Sequence, residues 1–177
     1  MSEIIPIVNE KDEVISGENR ETFDKSTGKI YRTVSVVIIN LRGEILIQRR
    51  AMNKTYPGLW DTAGAAGHVH YGETYAEAAE REVEEEVGLI VDKFIPMKKF
   101  FYESEKGHRR FMQTFLAVLD FDEADVEILP EEVMDIKLVK FEELKQIIEE
   151  NPESFRDLSA QVLEQAVKKY DKIGRNL

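Results

Sequence analysis

The sequence contains no cysteine, which excludes several kinds of site at once. A chain without thiols cannot form a disulfide bond, bind zinc through cysteine or use a thiolate as a nucleophile. It also lacks an apolar run of the roughly 18 residues that a membrane-spanning helix requires. Its first residues lack the basic and apolar regions of a secretory signal peptide. We therefore expect a cytoplasmic protein that does not enter a membrane.

Basic residues are few in comparison with acidic ones. The chain of 177 residues has 24 Lys and Arg against 35 Asp and Glu, a net charge of −11. A surface with this charge repels nucleic acid polymers and anionic membranes. A small anionic substrate is still compatible with it, provided that basic side chains or metal ions offset the field locally. We therefore expect a small-molecule partner, with no nucleic acid polymer and no membrane.

The order of apolar and polar segments predicts the fold class. No repeat or flexible linker divides the chain, so we expect one domain over residues 1–177. Its N-terminal part, 1–30, is expected to form a strand and hairpin extension. Helical periodicity predicts a helix over 74–87 and C-terminal helices over 141–173, the last of them over 154–169. Strands interleaved with few helices indicate an α/β (α+β) fold with a mixed β-sheet between α-helices.

Three glutamates lie on one flank of the first predicted helix. Glu82, Glu85 and Glu86 have spacings of three and four, at which helical side chains are neighbours. Their charges repel each other, and they occupy the last turn, where the helix dipole also disfavours anions. An ordinary solvated helix face is one interpretation. A bound divalent cation is the other, because magnesium binds carboxylate oxygens together with phosphates and water.

The residues around this helix favour the second interpretation. They match the pattern G-x5-E-x7-R-E-U-x-E-E-x-G-U, in which U is aliphatic, at every specified position within 67–89. The matching residues are Gly67, Glu73, Arg81, Glu82, Val83, Glu85, Glu86, Gly88 and Leu89. The chain therefore resembles the Nudix hydrolases, of which this pattern is the signature. The resemblance implies a Nudix fold and an enzyme that cleaves a diphosphate linkage.

The same resemblance implies a role for each residue of the box. The implied oxygen ligands of Mg²⁺ or Mn²⁺ are Gly67 (through its carbonyl group), Glu82, Glu85 and Glu86. Arg81 would join these glutamates in the catalytic set by orienting their carboxylates, together with Glu73. The metal would polarise the phosphoryl group and lower the pKa of the attacking water.

A carboxylate would remove the proton of that water. In the family this base is either the glutamate that matches Glu82 or one from a later loop. Nothing in the sequence separates the later candidates, which are Glu103, Glu105, Glu131 and Glu132. We include Glu132 in the predicted catalytic set.

Residues before the box are candidates for substrate binding. Arg49, Arg50 and Lys54 could clamp a diphosphate through charge-assisted hydrogen bonds. Surface ion pairs would explain any one of them equally well, but the three together favour substrate binding. Because adjacent strand residues point to opposite faces, one of the two arginines must face inward or onto the sheet. Trp60 could stack on a base, but core packing is the commoner use of such an aromatic. His68 is expected to line the pocket beside the metal.

The His68-x-His70 pair could instead bind zinc with a glutamate. The chain has only three histidines, however, so we prefer the pocket-lining interpretation.

A wider pattern from Val8 to Leu89 resembles the subgroup that includes type 1 isopentenyl diphosphate isomerase. That enzyme uses a cysteine immediately before its Gly-His, where this chain has Ala66. With no cysteine and an intact hydrolase box, we expect hydrolysis of a nucleoside diphosphate or a derivative of one. The isomerase and a non-catalytic nucleotide-binding module are the alternatives. A homodimer formed through the N-terminal strands is compatible with the sequence.

Overall fold

The computed structural model describes residues 3–104 and 107–174. Within these ranges the chain forms nine strands and three α-helices. The strands are β1 (Ile4–Val8), β2 (Val14–Asn19), β3 (Ile30–Asn40), β4 (Glu44–Arg50), β5 (Trp60–Asp61), β6 (Ala65–His68), β7 (Ile95–Glu103), β8 (Arg109–Leu119) and β9 (Val133–Lys140). The helices are α1 (Tyr75–Val87), α2 (Phe141–Glu150) and α3 (Ser159–Gly174).

The long strand β3 organises the sheet. It pairs in parallel with β8 along its whole length, from Ile30 opposite Arg109 to Asn40 opposite Leu119. Three antiparallel strands, β1, β6 and β4, share its other edge in succession. Beyond these, β2 pairs with β1, both β5 and β9 pair with β4, and β7 pairs with β8. The sheet is therefore mixed.

Both faces of β3 are buried, which explains its nearly continuous β-branched sequence. Val34, Val36 and Ile38 pack with α1 in one apolar cluster, whereas Val37 and Ile39 pack with α2 and α3 in another. Successive strand residues point to opposite faces, so a single strand supplies both cores. These helices on the two sides of a mixed sheet confirm the predicted fold class.

The N-terminal half of β3 has a different neighbour on the face that carries α2 and α3. Tyr31, Thr33 and Ser35 alternate in step with Val37, but they border a cleft. The β1–β2 hairpin lies beside this end of β3. The Tyr71 N–H donates to the Ile4 carbonyl at 2.7 Å and ties β1 to the segment that follows β6.

The start of the last helix was predicted wrongly. Residues 152–154 form a 3₁₀ turn, and α3 begins at Ser159 rather than at 154. The intervening backbone is held against β5, because the Arg156 N–H donates to the Trp60 carbonyl at 2.9 Å. Leu158 has a φ of 70°, which a right-handed helix cannot contain. None of the helices in the described part of the chain has the length and apolar character needed to cross a membrane.

Candidate active site

Helix α1 is fixed at both ends by its own sequence. The Thr74 hydroxyl accepts a hydrogen bond from the Glu77 N–H at 3.2 Å, and the Glu77 carboxylate accepts one from the Thr74 N–H at 2.7 Å. This reciprocal pair is a capping box. At the other end Gly88 has a φ of 67° and stops the helix. The predicted helix is therefore confirmed.

The apolar face of α1 determines where its glutamates lie. Val83 and Val87 are fully buried against the sheet. Glu82 and Glu86 adjoin them on the helix and are drawn into the interior, with 8% and 2% of their surfaces exposed. The Glu85 side chain is 54% exposed. Two of the three predicted ligands are thus buried acids, and the third lies at the surface.

Strand β6 passes directly beside these two acids. A Cβ atom at Gly67 would overlap the Glu82 carboxylate, so glycine leaves the space that the acid occupies. The Glu86 carboxylate accepts hydrogen bonds from the Ala66 N–H at 2.9 Å and from Gln48 Nε2 at 3.0 Å. The buried acids are therefore positioned by close packing and by hydrogen bonds from β4 and β6.

Arg81 connects the loop before α1 to the helix itself. Its guanidinium donates to both carboxylate oxygens of Glu73, at 2.9 and 3.1 Å, and to the His68 carbonyl at 2.8 Å. It also donates to Glu82 at 2.8 Å and to Glu85 at 3.1 Å. One side chain thus fixes the positions of three glutamates relative to β6.

The two buried acids are unusual in their protonation. Burial raises the pKa of Glu82 to about 7, although Arg81 opposes this effect. Burial and the neighbouring charge of Glu82 raise the pKa of Glu86 to about 8. A cation next to both carboxylates would favour their ionised forms. Carboxylate oxygens are also the ligands that magnesium prefers, so the donor set fits a divalent cation.

The three carboxylates nevertheless do not converge on one point. Within 3–104 and 107–174, no group of three or more His, Asp or Glu side chains is arranged to hold a metal ion. Their contacts give the reason: Glu82 and Glu85 turn toward Arg81, and Glu86 turns toward its donors on β4 and β6. All three line the same cleft. Metal binding would therefore require rotation of side chains within this cleft.

The cleft has a volume of about 390 Å³, which is in the range of small-molecule sites. Its basic lining residues come from distant parts of the chain: Arg20, Lys25, Arg50, Lys54, Arg81, Arg110 and Arg156. The lining also contains seven acidic residues, so the acidic and basic groups balance each other there, in contrast to the net charge of −11 for the whole chain. An anionic ligand would be accommodated here rather than elsewhere on the acidic surface.

The predicted substrate-binding residues divide into two groups. Arg50 and Lys54 line the cleft; Lys54 forms an ion pair with Glu132, and Arg50 Nε donates to the Thr55 carbonyl at 2.9 Å. Arg49 and Trp60 are not brought to the cleft.

Strand alternation explains this separation, because Arg49 precedes Arg50 in β4 and its side chain leaves from the opposite face. Arg49 Nε donates to the Gly58 carbonyl at 2.9 Å, and its guanidinium lies 6.0 Å from the centroid of the Trp60 ring. Trp60 packs on the apolar cluster beneath α2 and α3, which is the packing role considered above.

The two histidines of the His-x-His pair have different surroundings. His68 lines the cleft, stacks on Tyr31 with ring centroids 5.5 Å apart, and has a buried Nε2 without a hydrogen-bond partner. Burial lowers the pKa of His68 well below its ordinary value. His70 also lines the cleft, but it lies 3.2 Å from a Glu3 oxygen and 3.6 Å from a Glu73 oxygen. The described residues do not form a zinc site around this pair.

The candidates for a later catalytic base are also separated. Glu132 lines the cleft, whereas Glu103 lies 3.4 Å from Arg109 and, like Glu131, is not part of the lining. Glu105 lies outside the described residues. Of the described candidates, Glu132 alone reaches the cleft.

Several residues of the site were not predicted, among them Gln48, which donates to Glu86 from outside the cleft lining. Gln48 is fully buried, and a polar residue on the apolar side of an alternating strand was a signal that could have been used. Arg156 forms an ion pair with Asp61 and reaches the cleft from the segment before α3. Lys25 and Arg110 carry no local signal, because the pairing of distant strands brings them to the site.

Comparison with known proteins decides the family. The family model described as NUDIX domain matches residues 29–161. The chain belongs to the Nudix hydrolase family. It is 36% identical over 137 residues to a Nudix hydrolase of Listeria monocytogenes, covering 72% of this chain and 79% of that protein.

Two further similarities concern the subgroup and the fold. An isopentenyl-diphosphate Delta-isomerase of Enterobacter sp. is 27% identical over 158 residues, which cover 88% of this chain and 86% of that enzyme. The solved structure of the protein DR0079 from Deinococcus radiodurans superimposes with a TM-score of 0.76 at 25% identity, covering 93% of this chain and 99% of that one. Nudix hydrolases in general use divalent metals, which agrees with the oxygen donors of this site.

Proposed function

We propose that this Nudix hydrolase cleaves the diphosphate linkage of a nucleoside diphosphate or of a derivative of one, with Mg²⁺ or Mn²⁺ as its cofactor. The observation that carries the proposal is the pair of buried acids, Glu82 and Glu86, packed against Gly67 and Ala66 in a cleft that also contains basic side chains. Burying two neighbouring carboxylates is costly unless a cation compensates them.

In this proposal the metal is held by the carboxylates of Glu82, Glu85 and Glu86 and by the Gly67 carbonyl. When bound, it supplies a Lewis acid that polarises the phosphoryl group and acidifies the attacking water. Arg81 ties α1 to Glu73 and to the His68 carbonyl, and it holds Glu82 and Glu85 at the cleft, from which they would rotate onto the metal. It acts as a positioning residue.

The remaining groups bind the substrate and move its proton. Arg50 and Lys54 line the cleft and would contact the diphosphate, with His68 beside them. Water attacks phosphorus while the bridging P–O bond breaks, and a carboxylate takes the proton of the water. Glu132 is our candidate for this base among the later glutamates, because it lines the cleft and is held there by Lys54. Glu82 is the alternative base.

The domain and its assembly are part of the same proposal. We place the hydrolase domain over residues 1–177, with the extension 1–30 contributing Arg20 and Lys25 to the cleft. A homodimer through the N-terminal strands is supported by the exposure of β2, which pairs with β1 alone among the described strands. A cytoplasmic location agrees with the absence of cysteine.

An isomerase acting on isopentenyl diphosphate is the second candidate. It is favoured by the similarity to the Enterobacter enzyme, which covers 88% of this chain. Against it, the cysteine of the isomerase motif is replaced by Ala66, whose N–H is a hydrogen-bond donor to Glu86. Incubation with isopentenyl diphosphate, followed by NMR for the dimethylallyl product, distinguishes the two activities.

The decisive experiment for hydrolysis is the substitution Glu86→Gln. We expect kcat on a diphosphate substrate with Mg²⁺ to fall by at least about 100-fold, because the transition state loses a charge that helps to hold the cation. Glu84→Gln is the matched control, since Glu84 is exposed on the same helix and does not line the cleft. A screen of nucleotides, dinucleotides, nucleotide sugars and isoprenoid diphosphates identifies the substrate for this assay.

Unchanged turnover in Glu86→Gln would refute the assignment of the acids. If calorimetry of the wild type with millimolar Mg²⁺ or Mn²⁺ shows no binding, the third candidate, a non-catalytic nucleotide-binding module, replaces the hydrolase. Circular dichroism of each variant separates loss of chemistry from loss of fold.

A further inference from the structure

The cleft contains basic side chains for which the hydrolysis of a diphosphate gives no role. Among the described residues, Lys25, Arg50 and Arg110 line the cleft without forming an ion pair with a carboxylate. Arg50 has a place in the diphosphate clamp, so Lys25 and Arg110 remain. The other basic lining residues are each paired with an acid: Arg20 with Glu3, Lys54 with Glu132, Arg81 with Glu82, and Arg156 with Asp61.

The acidic lining residues are engaged as well, and none of them is directed at Lys25 or Arg110. Besides the acids in the pairs just given, Glu85 bonds to Arg81, Glu86 accepts from β4 and β6, and Asp157 accepts from the Tyr102 hydroxyl at 2.9 Å. In the part of the chain that the structure describes, Lys25 and Arg110 therefore contact the rings of Tyr31 and Tyr102, at 5.4 and 4.4 Å from the ring centroids, and no carboxylate. Free cations inside a cleft are a recognition feature for anions.

Lys25 and Arg110 are both neighbours of Tyr31, Lys25 through its side chain and Arg110 through the strand pairing. Lys25 Nζ is 5.4 Å from the centroid of Tyr31. Arg110 is opposite Tyr31 in the parallel pairing of β3 and β8, so the two side chains leave the sheet on the same face. Tyr31 also stacks on His68, which directly follows Gly67 in β6. Tyr31 and His68 thus lie between the basic pair and the glycine that adjoins the buried acids.

These cations are held together against their own repulsion. Burial, and then the charges of Arg110, Arg20 and Arg50, lower the pKa of Lys25. An anion bound between the side chains would remove this repulsion and would gain charge-assisted hydrogen bonds. The planar fork of an arginine and the point charge of a lysine suit the several oxygens of a phosphate group.

We propose that Lys25 and Arg110 form a second anion subsite, which binds a phosphate group beyond the scissile diphosphate. The substrate class is accordingly a diphosphate compound with at least one additional phosphate. This inference rests on the proposed function, which places the scissile linkage at the buried acids and at Arg50 and Lys54. The N-terminal extension 1–30, through Lys25, and β8, through Arg110, then select the substrate, while the box performs the chemistry.

The test measures binding separately from catalysis. Inorganic tripolyphosphate and pyrophosphate are titrated by calorimetry, in EDTA, into the wild type and the variants Lys25→Gln and Arg110→Gln. Lys29→Gln and Arg109→Gln are the matched controls, because they remove the same charge from neighbouring positions outside the cleft lining. Both control residues are in ion pairs, Lys29 with Glu18 and the partly buried Arg109 with Glu10 and Glu103.

We expect the wild type to bind tripolyphosphate more tightly than pyrophosphate. Each cleft variant should weaken tripolyphosphate binding about tenfold, the usual effect of one hydrogen bond to a charged group, and weaken pyrophosphate binding much less. The controls should change either affinity by about twofold or less, because their charges are already paired with carboxylates and lie outside the cleft lining. Equal affinities in the wild type, or equal losses in the controls, would overturn the second subsite.

Two further comparisons keep the outcome unambiguous. If Arg110→Gln does not fold, Arg110→Lys retains the charge and should keep most of the preference for tripolyphosphate over pyrophosphate. Lys25→Gln remains an independent test, because Lys25 lies outside the strands. A protein that hydrolyses a diphosphate with Mg²⁺ but shows no preference for tripolyphosphate refutes the subsite alone. A protein that prefers tripolyphosphate but does not hydrolyse any diphosphate compound refutes the proposed function instead.

Discussion

Gly67 and Glu82 share a space that two larger residues could not occupy together. Gly67 is not among the glycines with positive φ, so its backbone conformation is open to other residues. Its importance therefore lies in the missing side chain, which leaves room for the Glu82 carboxylate beside β6. A methyl group at this position would displace the Glu82 carboxylate without straining the backbone of β6.

For the substitution Gly67→Ala, we predict a loss of metal affinity with the fold intact. The added Cβ displaces the flexible end of Glu82, so the dissociation constant for Mn²⁺ should rise by about 10- to 100-fold, as it does when the support of a metal ligand is lost. Calorimetry measures the affinity, and urea denaturation measures the stability.

Gly64→Ala is the contrasting control for this variant. Its Cβ would lie 2.9 Å from Ile38 Cδ1 in the core, so we expect it to cost about 1–3 kcal/mol of stability. It should leave the affinity for Mn²⁺ unchanged. An unaltered affinity in Gly67→Ala would show that Glu82 does not hold the metal.

Among the secondary structure elements, α1 was the easiest to predict. Thr74 and Gly88 provide start and stop signals within the local sequence, and the structure uses both. The start of α3 was not predictable in this way, because the left-handed Leu158 and the contact of Arg156 with Trp60 set it. These features depend on contacts with β5, which lies almost a hundred positions earlier in the chain. The ion pair between Arg156 and Asp61, for example, spans 95 positions.

The cap of α1 provides a prediction for the whole helix. Thr74→Ala should lower the free energy of unfolding by about 1 kcal/mol, because the Glu77 N–H loses its acceptor. Thr74→Ser keeps a hydroxyl and should restore most of this loss. Urea denaturation measures both effects, and an Ala variant as stable as the wild type would contradict the capping role.

At the scale of the whole molecule, the sequence predicted one half of the cleft better than the other. The three glutamates proposed as metal ligands are contained in the contiguous segment 67–89, where the motif as a whole suggests a shared cation. The basic half is assembled by the sheet from segments that are distant in sequence, such as those of Lys25 and Arg110. Strand alternation predicted that one of Arg49 and Arg50 would face inward, but the choice depended on the register of β4.

Asp12 joins four parts of the molecule. Its side chain, which is 7% exposed, accepts hydrogen bonds from Arg32 on β3 at 2.7 Å and from the Tyr75 hydroxyl on α1 at 3.0 Å, and it forms an ion pair with Lys99 on β7. Burial alone would raise the pKa of Asp12, but the hydrogen bonds from Lys99 and Arg32 outweigh it and lower this pKa below its ordinary value.

We predict that Asp12→Asn costs about 1–3 kcal/mol of stability at pH 7, because it leaves buried donors without a charged acceptor. Asparagine tolerates the φ of 64° at this position, so the turn itself should survive. Since the pKa is lowered in the folded state, the stabilisation is present above the unfolded pKa of about 4 and is lost as the pH falls through the folded value.

The difference between the wild type and Asp12→Asn should therefore shrink in urea denaturation curves recorded below about pH 4. Glu13→Gln is the control, because Glu13 is exposed and its replacement can still accept the hydrogen bond of Asn9. A difference that is constant with pH would exclude an ionised Asp12 as its origin.

The parallel pairing of β3 with β8 also has a consequence for biosynthesis. Thr33 and Phe111 touch across this pair, although 78 positions separate them in the chain. A nascent polypeptide that has left the ribosome only as far as β7 already carries the complete glutamate motif, yet it has neither Arg110 nor the strand that supports Tyr31. Because such distant contacts form late and slowly, the enzyme acquires its acidic groups before it acquires a place for its substrate.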